Sequence, residues 1–118
     1  MTVYIAGGIT GVEDYKARFA AAKRMLLREE EDRLDSMECY YGTPRADKVL
    51  NPAELPEGWP NGLYMDVCLA MIRAADLVVF LPGWERSRGA SLEMQYCRYE
   101  GKPVYKIAQE ELEEWVEE

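Results

Sequence analysis

Glu93 closes the run Ser87-Arg88-Gly89-Ala90-Ser91-Leu92-Glu93 and is the carboxylate of this chain best placed to act as a nucleophile. The run follows a short apolar stretch, Leu77 to Leu81, and a turn rich in Pro, Gly, Ser and Arg, so it reads as the start of a helix. Gly89 and Ala90 stand four and three residues before Glu93 and share its helical face, where their small size leaves room for a flat ring beside the carboxylate. The free N–H groups and macrodipole of a helix start favour the ionised form of an acid. An ionised oxygen facing a cavity is what nucleophilic catalysis by a carboxylate requires. The plainer alternative is an acid decorating a solvated helix. On the nucleophile reading, Glu93→Gln is expected to leave stability within about 0.5 kcal/mol, as for a partly exposed helical acid.

The other candidates each have a plain reading beside the chemical one. Ser87 suits an N-cap, and equally a hydroxyl that binds a sugar or phosphate oxygen together with nearby backbone N–H groups. Arg86 and Arg88 flank it and suit an anion, or serve solubility. Tyr4 sits near the end of a first apolar strand as a core residue with a hydrogen-bonded hydroxyl. Asp66 and Arg73 are the only charges in an otherwise apolar helical stretch and, seven apart, pair loosely on one face. Gly7-Gly8-Ile9-Thr10-Gly11 lets the chain bend tightly and approach a ligand closely, although no phosphate-loop lysine follows.

Composition narrows the chemistry further. The chain has no histidine, so the commonest general base and zinc ligand are missing, and reactivity must rest on carboxylates, hydroxyls and backbone dipoles. Cys39, Cys68 and Cys97 are odd in number and far apart, which suits neither a disulfide framework nor a metal box, and no cofactor is called for. The net charge is −8, and six acids fall within the last nine residues with no base among them. No basic stripe is present to neutralise phosphates, so nucleic acid and anionic membrane are not expected partners. No long apolar run or signal peptide is apparent, and a reducing cytoplasmic setting is the expectation.

These residues need a scaffold, and the periodicities supply one. Val3–Ala6, Val49–Leu50, Leu77–Leu81 and Pro103–Ile107 read as short strands. Helices are expected at 13–30, where Tyr15, Phe19, Ala22 and Leu26 form an apolar stripe, and at 62–75, 87–100 and 110–116. Residues 31–47 show no sustained period and read as a surface excursion, and 108–118 as an acidic terminal helix. The alternation predicts an α/β fold in a single domain, residues 1–118: a doubly wound, flavodoxin- or Rossmann-like parallel sheet of four to five strands. Right-handed crossovers place the first strand inside that sheet and the strand at Val49 near an edge. The 62–75 helix is too apolar to have a fully wet face.

Taken together, Val3-Tyr4-Ile5-Ala6-Gly7-Gly8-Ile9-Thr10-Gly11, Leu50-Asn51-Pro52, the Asp66 helix before Ala74-Ala75-Asp76-Leu77-Val78-Val79-Phe80, and Ser87-x-Gly89-Ala90-x-x-Glu93 resemble the nucleoside 2-deoxyribosyltransferase superfamily. The resemblance is to its small bacterial and phage branch and to the deoxynucleoside 5′-monophosphate N-glycosidases, and it spans most of the chain outside 31–47. It implies Glu93 as nucleophile, Tyr4 as the hydroxyl that orients it and Asp66 as the acid near the departing base. Gly7, Gly8, Ile9, Thr10, Ser87, Arg88, Gly89 and Ala90 would then line the substrate. Thr10 stands where the monophosphate-cleaving relatives carry an arginine, so a 5′-phosphate would fall to Arg86 or Arg88. The acidic tail offers no equivalent of the C-terminal residue that the transferases lend to a neighbouring subunit.

The resulting expectation is an enzyme that cleaves or transfers at the N-glycosidic bond of a (deoxy)nucleoside or nucleoside 5′-monophosphate through a covalent glycosyl-enzyme. It would work without cofactor or metal, as a homodimer or higher oligomer. Two alternatives are a non-catalytic nucleotide-sensing module on the same fold and a glycohydrolase acting on a dinucleotide of the NAD type. On the first reading Tyr4 and Glu93 must lie within hydrogen-bonding reach.

Overall fold

The computed structural model describes residues 1–9, 11–28 and 43–116. Thr10 and most of the expected 31–47 excursion therefore lie outside the described residues. Among the described residues, four strands, β1 (Thr2–Ala6), β2 (Lys48–Leu50), β3 (Leu77–Phe80) and β4 (Val104–Lys106), pair in parallel in the order β2-β1-β3-β4. Among the same residues an α-helix follows each strand in turn: α1 (Tyr15–Leu26), α2 (Asn61–Ala74), α3 (Arg88–Glu100) and α4 (Gln109–Glu113). This is the doubly wound parallel sheet expected, with β1 inside and β2 at an edge. The order reverses at β1 and β3, and ligands in such sheets sit beyond the carboxyl ends of the strands at that switch point.

Alternation along the central strands sends neighbours to opposite faces. Val3 and Ile5 of β1 join Val79 and Leu81 against Phe19, Ala21, Ala22, Met25 and Leu26 of α1 and Leu112 of α4. Tyr4 and Ala6 join Val78 and Phe80 against Cys68 and Ile72 of α2 and Met94 and Cys97 of α3. Each fully buried Leu, Ile or Phe contributes about 1.5–3 kcal/mol.

The expected helices form with ends that shift by up to four residues. α1 begins at Tyr15 rather than Glu13, and its C-terminal turn is closed by the chain returning to it. Ala46 N–H donates to the Leu26 carbonyl at 2.8 Å, and buried Arg28 donates to the carbonyls of Met25, Thr43 and Pro44. Residues 43–47 are thus bound to the body. α2 is less embedded than its apolar sequence suggests: only Cys68 and Ile72 are buried, while Leu63 is 43% exposed. Arg73 does not pair with Asp66; its guanidinium donates to the Tyr96 hydroxyl at 3.1 Å. The terminal helix is shorter than read, and Glu111 fastens it by accepting from Thr43, Tyr105 and the Ala108 N–H. Among the described residues no helix is long and apolar enough to cross a membrane.

Candidate functional site

Beyond the carboxyl ends of β1 and β3 lies a cavity of about 780 Å³, within the range of small-molecule sites. Tyr4, Gly7 and Ile9 enter it from β1 and the turn that follows. Arg86, Ser87, Arg88, Gly89, Ala90 and Glu93 form one wall, and Asn61, Tyr64, Met65 and Cys68 of α2 form another. Pro52, Ala53, Leu55, Glu57 and Gly58, with Tyr15 of α1, complete it.

The wall carrying Glu93 is held by local chemistry. Gly83 takes a left-handed φ of 85°, which reverses the chain after β3, and Trp84 packs its ring on Phe80 at 5.2 Å between centroids. Ser87 then caps α3: its Oγ accepts from Ala90 N–H at 3.1 Å, and its hydroxyl proton remains available to a ligand. The capping and ligand readings of Ser87 are therefore compatible. At Gly7 a Cβ would fall 2.8 Å from Leu81 Cδ1, so the close approach of the two strand ends requires glycine there. The opposite wall is tied down too. Asn51 accepts from Ala53 N–H, Lys23 and Lys16 reach Glu54 and Glu57 from α1, and Tyr64 donates to the Pro56 carbonyl.

At the floor of the cavity the Tyr4 hydroxyl donates to Glu93 Oε2, joining residues 89 apart in sequence. Both are buried, Tyr4 to 1% exposure and Glu93 to 5%. Burial raises the Glu93 carboxyl from 4.5 to about 7, against which the Tyr4 hydrogen bond acts in the opposite direction. This corrects the expectation that the helix start would favour the ionised form. Glu93 is the sixth residue of α3, past the first turn in which the dipole acts, and desolvation outweighs it. The expectation of a neutral Glu93→Gln change falls with it, because the carboxyl is not on a wet surface. Burial, and after it the charge of Glu93, pushes the Tyr4 hydroxyl well above 10.0, so it remains a proton donor. Cys68 abuts the Tyr4 hydroxyl, and burial lifts its thiol to about 11; Cys97, one turn after Glu93, is lifted likewise. Thiols so raised are poor nucleophiles.

The structure brings together Tyr4, Gly7, Ile9, Ser87, Arg88, Gly89, Ala90 and Glu93, along with Arg86. Gly8 lines a neighbouring cavity instead, and Thr10 lies outside the described residues. Asp66 is exposed and is not among the residues lining the cavity, so nothing in its position supports the role of acid beside a departing base. The sequence does hold the signal for the true α2 wall. Asn61, Tyr64, Met65 and Cys68 recur at i, i+3, i+4 and i+7, and Asp66 falls off that stripe. Tyr15 reads as part of a core stripe but is only partly buried and lines the cavity. Residues 52–58 carry no periodic signal that could have marked them.

A family model described as a domain of unknown function, DUF4406, matches residues 43–106, just over half of the chain. The match runs from before β2 to the end of β4, and so includes Ser87 and Glu93 but not Tyr4. No curated protein and no solved structure matches the chain.

Proposed function

Since the chain belongs to the DUF4406 family, whose description assigns no activity, we propose from the site itself that it cleaves or transfers at the N-glycosidic bond of a (deoxy)nucleoside or its 5′-monophosphate. The observation that carries this reading is the buried Tyr4–Glu93 pair at the floor of a cavity large enough for such a ligand. Tyr4 occupies Oε2 of Glu93 and leaves Oε1 to attack the anomeric carbon. The new C–O bond forms as the C–N bond breaks, and the base departs with the bonding pair and takes up a proton. The transition state is oxocarbenium-like. In the second half, water or another base displaces Glu93; with water, its proton passes to the carboxylate or to solvent, and the sugar is released. Gly89 and Ala90 admit a ring beside Glu93, and Ser87, Arg86 and Arg88 suit the 5′ end.

A carboxyl near 7 is about half ionised at neutral pH, which suits a group that attacks as an anion and tolerates desolvation. The test is a panel of nucleosides, 5′-monophosphates and NAD incubated with the protein, with free base read by chromatography. Release of base from a nucleoside or monophosphate is the expected result. If nothing is released but nucleotides raise the melting temperature, the protein is a binding module. Release from NAD alone would make it a dinucleotide glycohydrolase. We also propose self-association through the exposed apolar residues of α2 and α3, Leu63 and Leu92. Light scattering that gives a monomer mass at high micromolar concentration overturns this.

A further inference from the structure

A second cavity, of about 520 Å³, borders the first and shares Arg86 and Ser87 with it. Its remaining wall comes from Gly8 and Val12, from Asp14 and Arg18 at the start of α1, from Pro82 and Gly83 after β3, and from Gln109. We infer that it is a subsite for a further phosphoryl group on the 5′ side of a nucleotide seated at Glu93, so that a nucleoside 5′-diphosphate or a dinucleotide pyrophosphate spans both cavities. The identity of the group at Glu93 rests on the function proposed above; the anion specificity of the second cavity does not.

Three observations support it. Arg18 is half-buried, and its Nη2 is anchored on the Pro82 carbonyl at 2.5 Å. A guanidinium carries five N–H donors, so a held Arg18 still has donors for a ligand, in the planar geometry that suits phosphate. Arg18 and Arg86 against the single acid Asp14 make this cavity net positive in a chain of net charge −8. The boundary between the cavities is thin: Gly8 has no side chain, and a Cβ there would already lie 3.5 Å from Ser87 Cβ and 3.3 Å from Val12 Cγ2. A ligand held near Ser87 in the first cavity therefore has Arg86 beside it and Arg18 ahead of it.

The test is calorimetric titration of the full chain with a nucleoside 5′-monophosphate, its 5′-diphosphate, a dinucleotide pyrophosphate and inorganic pyrophosphate. The diphosphate is expected to bind about tenfold tighter than the monophosphate, a difference of about 1.4 kcal/mol. Arg18→Gln should remove that advantage and leave monophosphate affinity within about twofold. Gln109→Glu, an exposed change that places a negative charge at the cavity, should do the same and keeps the test alive if Arg18→Gln fails to fold. Which of the diphosphate and the dinucleotide loses more affinity in these variants identifies the carrier. Equal affinity for mono- and diphosphate, or a diphosphate advantage that survives both substitutions, overturns the inference. If no base is ever released but the advantage and its loss are seen, including with inorganic pyrophosphate, the cleavage reading fails and the subsite stands.

Discussion

The two faces of the sheet are built on the same strands and differ in kind. Val3 and Ile5 meet α1 in an apolar cluster that includes Phe19, Ala22, Met25 and Leu26. Tyr4, between them in sequence, turns to the other face and meets a buried carboxylate and a thiol. α1 buries five residues and α2 only two. The first face supplies cohesion. The second is left open around Tyr4 and Glu93, and holding an acid there opposes folding whenever that acid is charged. Candidate chemistry lies on the less completely closed side, where a cavity and an ionisable group can coexist.

The largest effect expected to test this contrast is on turnover. With a substrate from the panel, Glu93→Gln removes the attacking anion and should lower kcat by several orders of magnitude, on the order of 4–8 kcal/mol in the barrier. Near-native turnover in single-turnover assays would eliminate the glycosyl-enzyme. Next in size is the core. Phe19→Ala empties the closed face and should cost about 3–5 kcal/mol, whereas Cys68→Ala, at the edge of the cavity, should cost about 1 kcal/mol. Urea unfolding of both variants measures this, and equal losses would erase the distinction between the faces.

Glu93 also makes stability depend on pH. Below about pH 4.5 it is protonated in both folded and unfolded chains and carries no penalty. As pH rises from there to about 7 the unfolded chain releases its proton first, so stability falls, and above 7 the deficit levels at about 3 kcal/mol. Glu93→Gln should lack this component and melt higher than the parent at pH 8, with the gap closing toward pH 4.5. Melting curves that move in parallel across that range would show that Glu93 is not desolvated. On turnover, the smaller expected effect is that of Tyr4→Phe, which removes the hydrogen bond that favours the Glu93 anion. The acid limb of the kcat/KM profile, falling near pH 7 in the parent, should then move to higher pH, while saturating activity at high pH drops by about ten- to a hundredfold, or about 1.4–2.7 kcal/mol. An unmoved limb would mean that Tyr4 does not act on Glu93.

How much of this was legible in the sequence depends on the range of the interaction. Strand alternation at Val3–Ala6 and Leu77–Leu81, the Ser87 cap and the Gly101 terminator are local, and local steric and hydrogen-bonding rules determine the element order and the parallel sheet from them. Glu93 could be picked out because Gly89 and Ala90 lie on its own helix face. Its protonation could not. The charge state of a carboxyl depends on how far water reaches it, and much of its burial comes from β1 and α2 side chains, which no window around residue 93 contains. The role of Asp66 came from the resemblance alone, and packing decides which stripe of α2 faces the cavity: Asn61, Tyr64, Met65 and Cys68 line it, and exposed Asp66 does not. Local sequence thus carries the strands, the turns and the choice of carboxylate, whereas the fold brings Tyr4 to Glu93 across 89 residues and buries both at the floor of the cavity, because desolvation is a property of the whole packed chain.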